Sequence, residues 1–506
     1  MPDMHLLLTL LEYLAFTFIF FVGLAVLAIA AVFVHDVLQR KNAIYRNYPV
    51  IGHFRTLFTH LGKFFRQYFF AMDREELPFN RAERNWVYRA ARNAATTVAF
   101  GSTRDLRPPG TILFVNCPFP MLERDATPVG EMVLGPYCDH PYRTRALVHV
   151  SGMSYGALSR PAVQALSRGA AMAGCWLNTG EGGLSPYHLE GGAHLVFQIG
   201  TAKYGVRDAE GRLSDERLRQ VAAHEQVKMF ELKLSQGAKP GKGGILPAAK
   251  VTPEIARIRG IPVHADSISP NRHPEIDSVD DLLDMITRIR AVTGKPTGFK
   301  TVIGARGWLD DLCRAIRARG LEDAPDFITV DGAEGGSGAA PMSLMDYMGL
   351  PIAEALPLVV DTLEAHGLRQ RIRVIASGRL ITPGGVAWAL CTGADFVTTA
   401  RGFMFALGCI QAMQCNRNTC PTGVATHNPR LQKGLDPGDK ARRVASYART
   451  LEREVGVIAH SCGVHEPRQL RRFHARIVMY DGRTLPLDEY YRNGHRVSPA
   501  PAARSA

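Results

Sequence analysis

The chain has 506 residues, 46% hydrophobic and 21% charged, which is enough to bury one large core with accessory pieces and too apolar for a disordered protein. The formal charge of +13 comes from scattered basic residues with no RNA- or DNA-binding motif, so nucleic acid is not an expected partner. Nine cysteines, mostly far apart, exclude a secreted disulfide scaffold and point to a reducing compartment.

Residues 13–34, YLAFTFIFFVGLAVLAIAAVFV, carry no charge, and a helix of that size is about 30 Å long, the thickness of a bilayer core. The run predicts one transmembrane helix; a buried core helix seldom stays apolar on all sides. A cleaved signal peptide is a poorer reading, because Asp3 and Glu12 precede the run and no Lys or Arg does. Arg40, Lys41, Arg46, Arg55, Lys63 and Arg66 follow it, so the positive-inside rule predicts a single-pass protein of the inner (cytoplasmic) membrane with its bulk in the cytoplasm. The anchor is assigned to residues 1–41, and 42–144 to a juxtamembrane and barrel-capping region. Within it, HFRTLFTHLGKFFRQYFF reads either as an amphipathic segment at headgroup level or as helices packed on the main domain.

From residue 145 the chain alternates short β-branched or apolar runs with longer helical patterns, each run ending in a Gly-rich or polar turn. Eight strands are expected, at 147–150, 175–178, 227–234, 262–264, 298–302, 327–330, 372–375 and 396–399. Helix starts are marked by Thr252-Pro253-Glu254, Ser278 and Thr382-Pro383. Eight strand–helix units predict an α/β fold, a (β/α)8 TIM barrel over 145–465 followed by a tail, 466–506. A doubly wound sheet is the weaker alternative, since no GxGxxG follows the first strand.

In such a barrel the chemistry sits at the C-terminal strand ends. Lys300, in GFKTVIG, has apolar neighbours that would aim its ammonium into the barrel mouth, there to bind a substrate carboxylate or hold negative charge on a reduced cofactor; the alternative is a solvated lysine. Gln236 and Lys239 in SQGAKPGKGG are further candidates. So are Glu181 and Glu334, as proton donors or as plain turn residues. SGR (377–379) and ARG (400–402) follow strands seven and eight, where backbone N–H groups commonly cradle phosphate, although each Gly also suits an ordinary turn.

Cys409, Cys415 and Cys420 form a C-x5-C-x4-C run on one irregular segment, 405–428. Thiolate is the soft ligand that an iron–sulfur cluster needs. A zinc site, with His427 as its one nearby fourth ligand, and three ordinary core thiols are the alternatives. Cys117, Cys138, Cys175, Cys313, Cys391 and Cys462 read as ordinary thiols.

GCIQAMQCNRNTCPTGVAT, SQGAKPGKGGILP (235–247) and DGAEGGSGAAP (331–341) together resemble the synthase domain of glutamate synthase, over roughly residues 145–465. The resemblance implies FMN on the barrel beside a [3Fe-4S] cluster held by Cys409, Cys415 and Cys420. It also implies that Met153 and Ser154 run along the flavin ring, that Gly335 and Gly336 allow close approach, and that Gly378, Arg379, Thr399 and Ala400 contact the phosphate. The implied reaction is reductive amination of 2-oxoglutarate to glutamate, using ammonia, an amine, or nitrogen from a separate glutaminase subunit. Electrons would come from a ferredoxin or a flavoprotein, since no pyridine-nucleotide motif is present.

One departure stands out: Lys242 occupies a position in PGKGG where the family carries an acid. This puts coupling to glutamine hydrolysis in doubt. Two further observations point the same way. The expected membrane span occupies the end where a glutaminase nucleophile would lie, and the 86 residues after Cys420 are too few for the family's long β-helix. The remaining alternatives are a synthase using another amine, such as methylamine to form N-methylglutamate, and a membrane-tethered electron-transfer or redox-sensing module without turnover.

Overall fold

Lacking Pro and charge, the apolar run lies inside one continuous helix, α1 (Pro2–Leu38), and its side chains are exposed over residues 13–34. Its stretch Met4–Leu38 is long and apolar enough, by length and composition, to cross a membrane. The computed structural model describes residues 2–39 and 42–493, and the chain divides at Ala82/Glu83 into two units. In the first unit α1 is followed by α2 (Ala43–Asn47), capped by Asn42 Oδ1, which accepts the N–H groups of Ile44 and Tyr45. Then come α3 (Gly52–Phe65) and a single π-helical turn, Arg66–Phe70.

The second unit begins within α4 (Arg81–Ala91) and contains a closed barrel of eight parallel strands. These are β1 (Val148–Val150), β2 (Leu177–Asn178), β3 (Leu195–Ile199), β4 (Val227–Lys233), β5 (Thr297–Thr301), β6 (Phe327–Asp331), β7 (Arg373–Ser377) and β8 (Phe396–Thr399). The fold class is the expected one, and seven of the eight expected strands overlap observed ones. The eighth does not: residues 262–264 form a turn, and the third strand is Leu195–Ile199. Pro262 has no N–H to give a ladder, and His264 has a left-handed φ of 58°, so neither residue suits a strand.

The 2.0-residue period of the strands stacks inward-pointing side chains in layers. At the N-terminal end Trp176, Val196, Met229, Phe327, Ile375 and Phe396 meet Leu134 and Tyr142 of the antiparallel hairpin Met132–Leu134/Tyr142–Thr144, which plugs the barrel. With that end filled by apolar side chains, the polar inward residues are confined to the other end. Asp326, just before β6 and fully buried, receives Arg290 Nε at 3.1 Å, the Thr297 N–H at 2.8 Å and Arg371 at 3.0 Å. Asp326→Ala strands two buried guanidinium groups and is expected to cost about 3–5 kcal/mol, read as a fall in the thermal unfolding midpoint.

Candidate active site

At the C-terminal strand ends the inward layer is charged. Lys300 on β5 is 6% exposed, and its Nζ lies 3.1 Å from Asp331 Oδ2 at the end of β6. Asp331 also accepts the Gly237 N–H at 2.9 Å. Burial pushes the Asp331 carboxyl up, but Lys300, the Gly237 N–H and Ser377 outweigh it and hold the group below its ordinary value. Burial alone would lower the Lys300 ammonium; Asp331 and Glu231 raise it instead. The two charges therefore fix each other, and Lys300 is not a solvated lysine.

A second pair lies on the neighbouring strand. Lys233 Nζ at the end of β4 is 2.9 Å from Glu181 Oε1, and it also donates to Gln236 Oε1. Gln236 in turn donates to the Gly336 carbonyl at 3.0 Å, tying the loop after β4 to the loop after β6. Burial opposes ionisation of Glu181, yet Lys233, Lys239 and Arg259 bring it down to about 2, so near neutral pH it is a carboxylate that accepts and not a proton donor. Lys239, buried, donates to the Gly243 carbonyl at 3.4 Å. Burial pushes its amine down to about 8, against the pull of Glu181, and Lys233 and Lys242 push the same way.

One layer deeper Glu231 accepts three hydrogen bonds, from Asn178 at 2.8 Å, Gln198 at 2.7 Å and Thr329 at 2.6 Å. This buried acid is satisfied by neutral donors and orients the amides of Asn178 and Gln198.

Above these groups opens a cavity lined by Lys233, Gln236, Lys300 and Asp331 on one side and by Gly378, Arg379, Thr399, Ala400 and Arg401 on the other. Gly335 and Gly336 also line it, and a Cβ on Gly336 would press on Arg401 Nε at 3.0 Å. Gly378 has φ +132°, open to glycine alone among the common residues, and Arg379 follows at +51°. The Arg379 guanidinium lies 3.6 Å from Glu83 of α4.

Of the residues expected here, Met153, Ser154, Lys239 and Glu181 are not in the cavity lining, and Glu181 is linked to it through Lys233. In the case of Met153 and Ser154 the reason is local. Their loop packs against Gly180, where a Cβ would crowd the Ser154 N–H, and Ser154 Oγ accepts from Arg259 at 3.3 Å. Glu334 turns away from the cavity: its carboxylate accepts the Ile352 N–H at 3.1 Å at the start of helix Ile352–Ala365. Sequence reasoning passed over Asp331, Lys233, Glu231 and Thr398. All four are inward residues of barrel strands, and the two-residue period carried through to the strand ends would have found them.

The three cysteines share the irregular segment after helix Arg401–Leu407. Among the described residues they form no preassembled metal-ligand group, although each of the three thiols lies close enough to another to influence its ionisation. Cys409 Sγ accepts the Gln411 N–H at 3.4 Å. Burial raises the Cys420 thiol, but the Thr422 hydroxyl and the N–H groups of Ala425, Thr422 and Val424 outweigh it, and its pKa is lowered. Lys250, buried, donates to the carbonyls of Ala157 at 2.6 Å and Cys415 at 3.2 Å, and Tyr88 of α4 donates to the Cys409 carbonyl at 2.6 Å.

Residues 125–465 match the conserved region in glutamate synthase. The chain belongs to the glutamate synthase family. It is similar to the glutamate synthase large subunit-like protein YerD of Bacillus subtilis, with 38% identity over 92% of this chain and 96% of that protein. An archaeal-type glutamate synthase [NADPH] of Thermotoga maritima is 34% identical over 64% of this chain, which spans only 61% of that relative's length. A glutamate synthase large subunit-like protein of Rhizobium meliloti is 31% identical over 66% of this chain and 75% of its own length. The family and the barrel make the chain a glutamate synthase-like oxidoreductase.

Proposed function

We propose that this family member is an FMN- and iron–sulfur-dependent synthase that reductively aminates 2-oxoglutarate to glutamate, taking electrons from a separate donor protein and held at the cytoplasmic membrane by α1. The observation that carries this reading is the polar cavity at the C-terminal strand ends, with lysines on one wall and a glycine cradle on the other. The fit to a flavin is supported within the barrel. Thr398 Oγ1 lines the cavity, is buried and has no hydrogen-bond partner among the described residues, while Gly335, Gly336 and Gly378 line the cavity where a Cβ would press on Gly237, Arg401 and Gly332, so the backbone there comes close to its neighbours around the cavity. Reduced FMN held there, with its electrons taken from the donor protein, would supply the hydride that an imine needs to become an amine. The cysteine segment fits a cluster by its chemistry, three soft ligands with N–H donors turned toward sulfur.

The chain's own groups then divide the work. Lys300 and Lys233, on the cavity wall, bind the carboxylates of the 2-oxo acid, Gln236 ties the loop after β4 to the loop after β6, and Glu181 and Lys239, outside the lining, set the charge around Lys233. Gly378, Arg379, Thr399 and Ala400 hold the flavin phosphate. A second amine is favoured by Lys242, whose charge acts on Lys239 where the family carries an acid.

The test is to purify the protein anaerobically in detergent, record visible and low-temperature EPR spectra, and supply dithionite, 2-oxoglutarate and either ammonia or methylamine. Flavin, a three-iron signal and glutamate support the proposal. N-methylglutamate in preference to glutamate supports the second amine, both cofactors without product leave an electron-transfer module, and neither cofactor overturns it. Cys415→Ser is expected to abolish the cluster signal and turnover driven by a donor protein while leaving flavin bound. Unchanged donor-driven turnover in that variant contradicts the cluster assignment.

A further inference from the structure

Between Asp36 and Asp73 the chain has no acidic residue and six basic ones, Arg40, Lys41, Arg46, Arg55, Lys63 and Arg66. Within that stretch α3 carries Phe54, Leu57, Phe58, Leu61 and Phe65 at spacings of three and four, which places them on one face. Phe69 continues the stripe one turn on, in the π-helical segment. All six are exposed, Phe58 at 64% and Phe69 at 74%. Arg55 and Arg66 lie off this stripe on the same elements. A continuous aromatic face of this kind is not left in water without an occupant.

How α3 is joined to α1 decides what that occupant is. Asp36, in the last turn of α1, is fully buried, and a buried carboxylate is tolerated only when its oxygens are satisfied. It accepts the Val50 N–H at 3.0 Å and lies 2.9 Å from His53 Nε2 on α3 and 3.3 Å from His35 Nδ1. The Tyr45 ring stacks on His53 at 4.0 Å, and its hydroxyl meets Thr56 Oγ1. Gln39 closes the turn by exchanging two hydrogen bonds with the Asn42 backbone. Side chains on either side of the connection thus tie the last turn of α1 to the start of α3.

We propose that α3 and the turn Arg66–Phe70 lie in the plane of the bilayer surface, aromatic stripe toward the acyl chains and arginines toward anionic headgroups, as a collar at the end of α1. The occupant is lipid. The aromatic face lies on the helix that Asp36 ties to the end of α1, whose central run is uncharged and exposed, and the basic excess complements acidic headgroups. A face of Phe and Leu with cations off that face suits the headgroup–acyl boundary. The proposal rests on the reading of α1 as a membrane span, and its test separates the two.

Full-length protein carrying Phe58→Trp is reconstituted into phosphatidylcholine–phosphatidylglycerol vesicles containing lipids brominated either near the headgroup end or near the tip of the acyl chain. Phe20→Trp, in the middle of α1, reports the span in the same vesicles, and the unsubstituted protein supplies the background from its own four tryptophans. The added emission at position 58 is expected to be quenched about two-fold or more by the shallow bromines and less by the deep ones. No quenching at 58, or strongest quenching by the deep bromines, overturns the collar. Deep quenching at position 20 with none at 58 removes the collar and keeps the span; shallow quenching at 58 with none at 20 keeps the surface contact and removes the span.

Discussion

Lys300→Met is expected to lower turnover roughly 10²- to 10³-fold, because the chemical step loses a cation held where negative charge collects, an effect of about 3–4 kcal/mol. It also breaks a buried pair. Asp331, 4% exposed, would keep only the Gly237 N–H and Ser377, and removing one partner of such a pair costs about 3–5 kcal/mol of stability. The two losses separate in the double variant Lys300→Met/Asp331→Asn. With no uncompensated charge, its unfolding midpoint should recover most of the loss, while turnover should stay as low as in Lys300→Met. The pH dependence adds a check. In the unsubstituted protein Asp331 is held below its ordinary range, so its contribution is present above the unfolded pKa and lost as pH falls through the folded one. In Lys300→Met burial acts without the lysine and pushes Asp331 up, so the instability of the variant should shrink as the pH is lowered. Recovery of turnover in the double variant would make Lys300 a structural residue.

The barrel was legible because seven strands carry β-branched or aromatic residues between Gly-rich turns, and because motif order fixes which loop follows which strand. Leu195–Ile199 was passed over for a physical reason. Its five residues are all buried, so it shows no alternation, and Gly191-Gly192 and Gly200 on either side make it look like part of one long loop. Nearly fifty residues between the expected second and third strands was itself a sign that a unit was missing, since connections in such barrels are short. At the site, Lys300 and the cysteines could be named from local sequence. The pairings could not, because Asp331 meets Lys300, and Tyr88 the cysteine segment, only through barrel closure and helix packing. Glu334 shows the same limit in reverse: it sits in the right loop, but the start of helix Ile352–Ala365 draws its carboxylate away from the cavity. Glu83 and Tyr88 lie before residue 125, where the match to the family begins, so no motif marks α4 as a neighbour of the Arg379 loop or of the cysteine segment.

Above pH about 8, kcat/KM for the 2-oxo acid should fall with a one-proton slope, as the site loses the positive charge of Lys239 beside Lys233 and Glu181. Unfolding cannot produce that fall. Burial sets the folded pKa of Lys239 below its ordinary value of about 10.4, so between about pH 8 and that value the unfolded chain binds more protons, and this residue's contribution to stability rises with pH. Activity should therefore decline across a window in which the thermal midpoint gains from the same deprotonation. Lys242 makes the assignment testable, because its charge is one of the causes that lower Lys239. Lys242→Gln removes that repulsion and should move the alkaline limb to higher pH. Lys242→Glu, which restores the family's acid, should move it further in the same direction, with little change in the unfolding midpoint because the side chain is only partly buried. A limb that stays in place in both variants would assign the titration to a group other than Lys239. A limb that moves while KM for the amine also changes would mean that the same loop sets the choice of nitrogen donor, since Lys239 and Lys242 both belong to the loop whose Gly244 packs against Glu181.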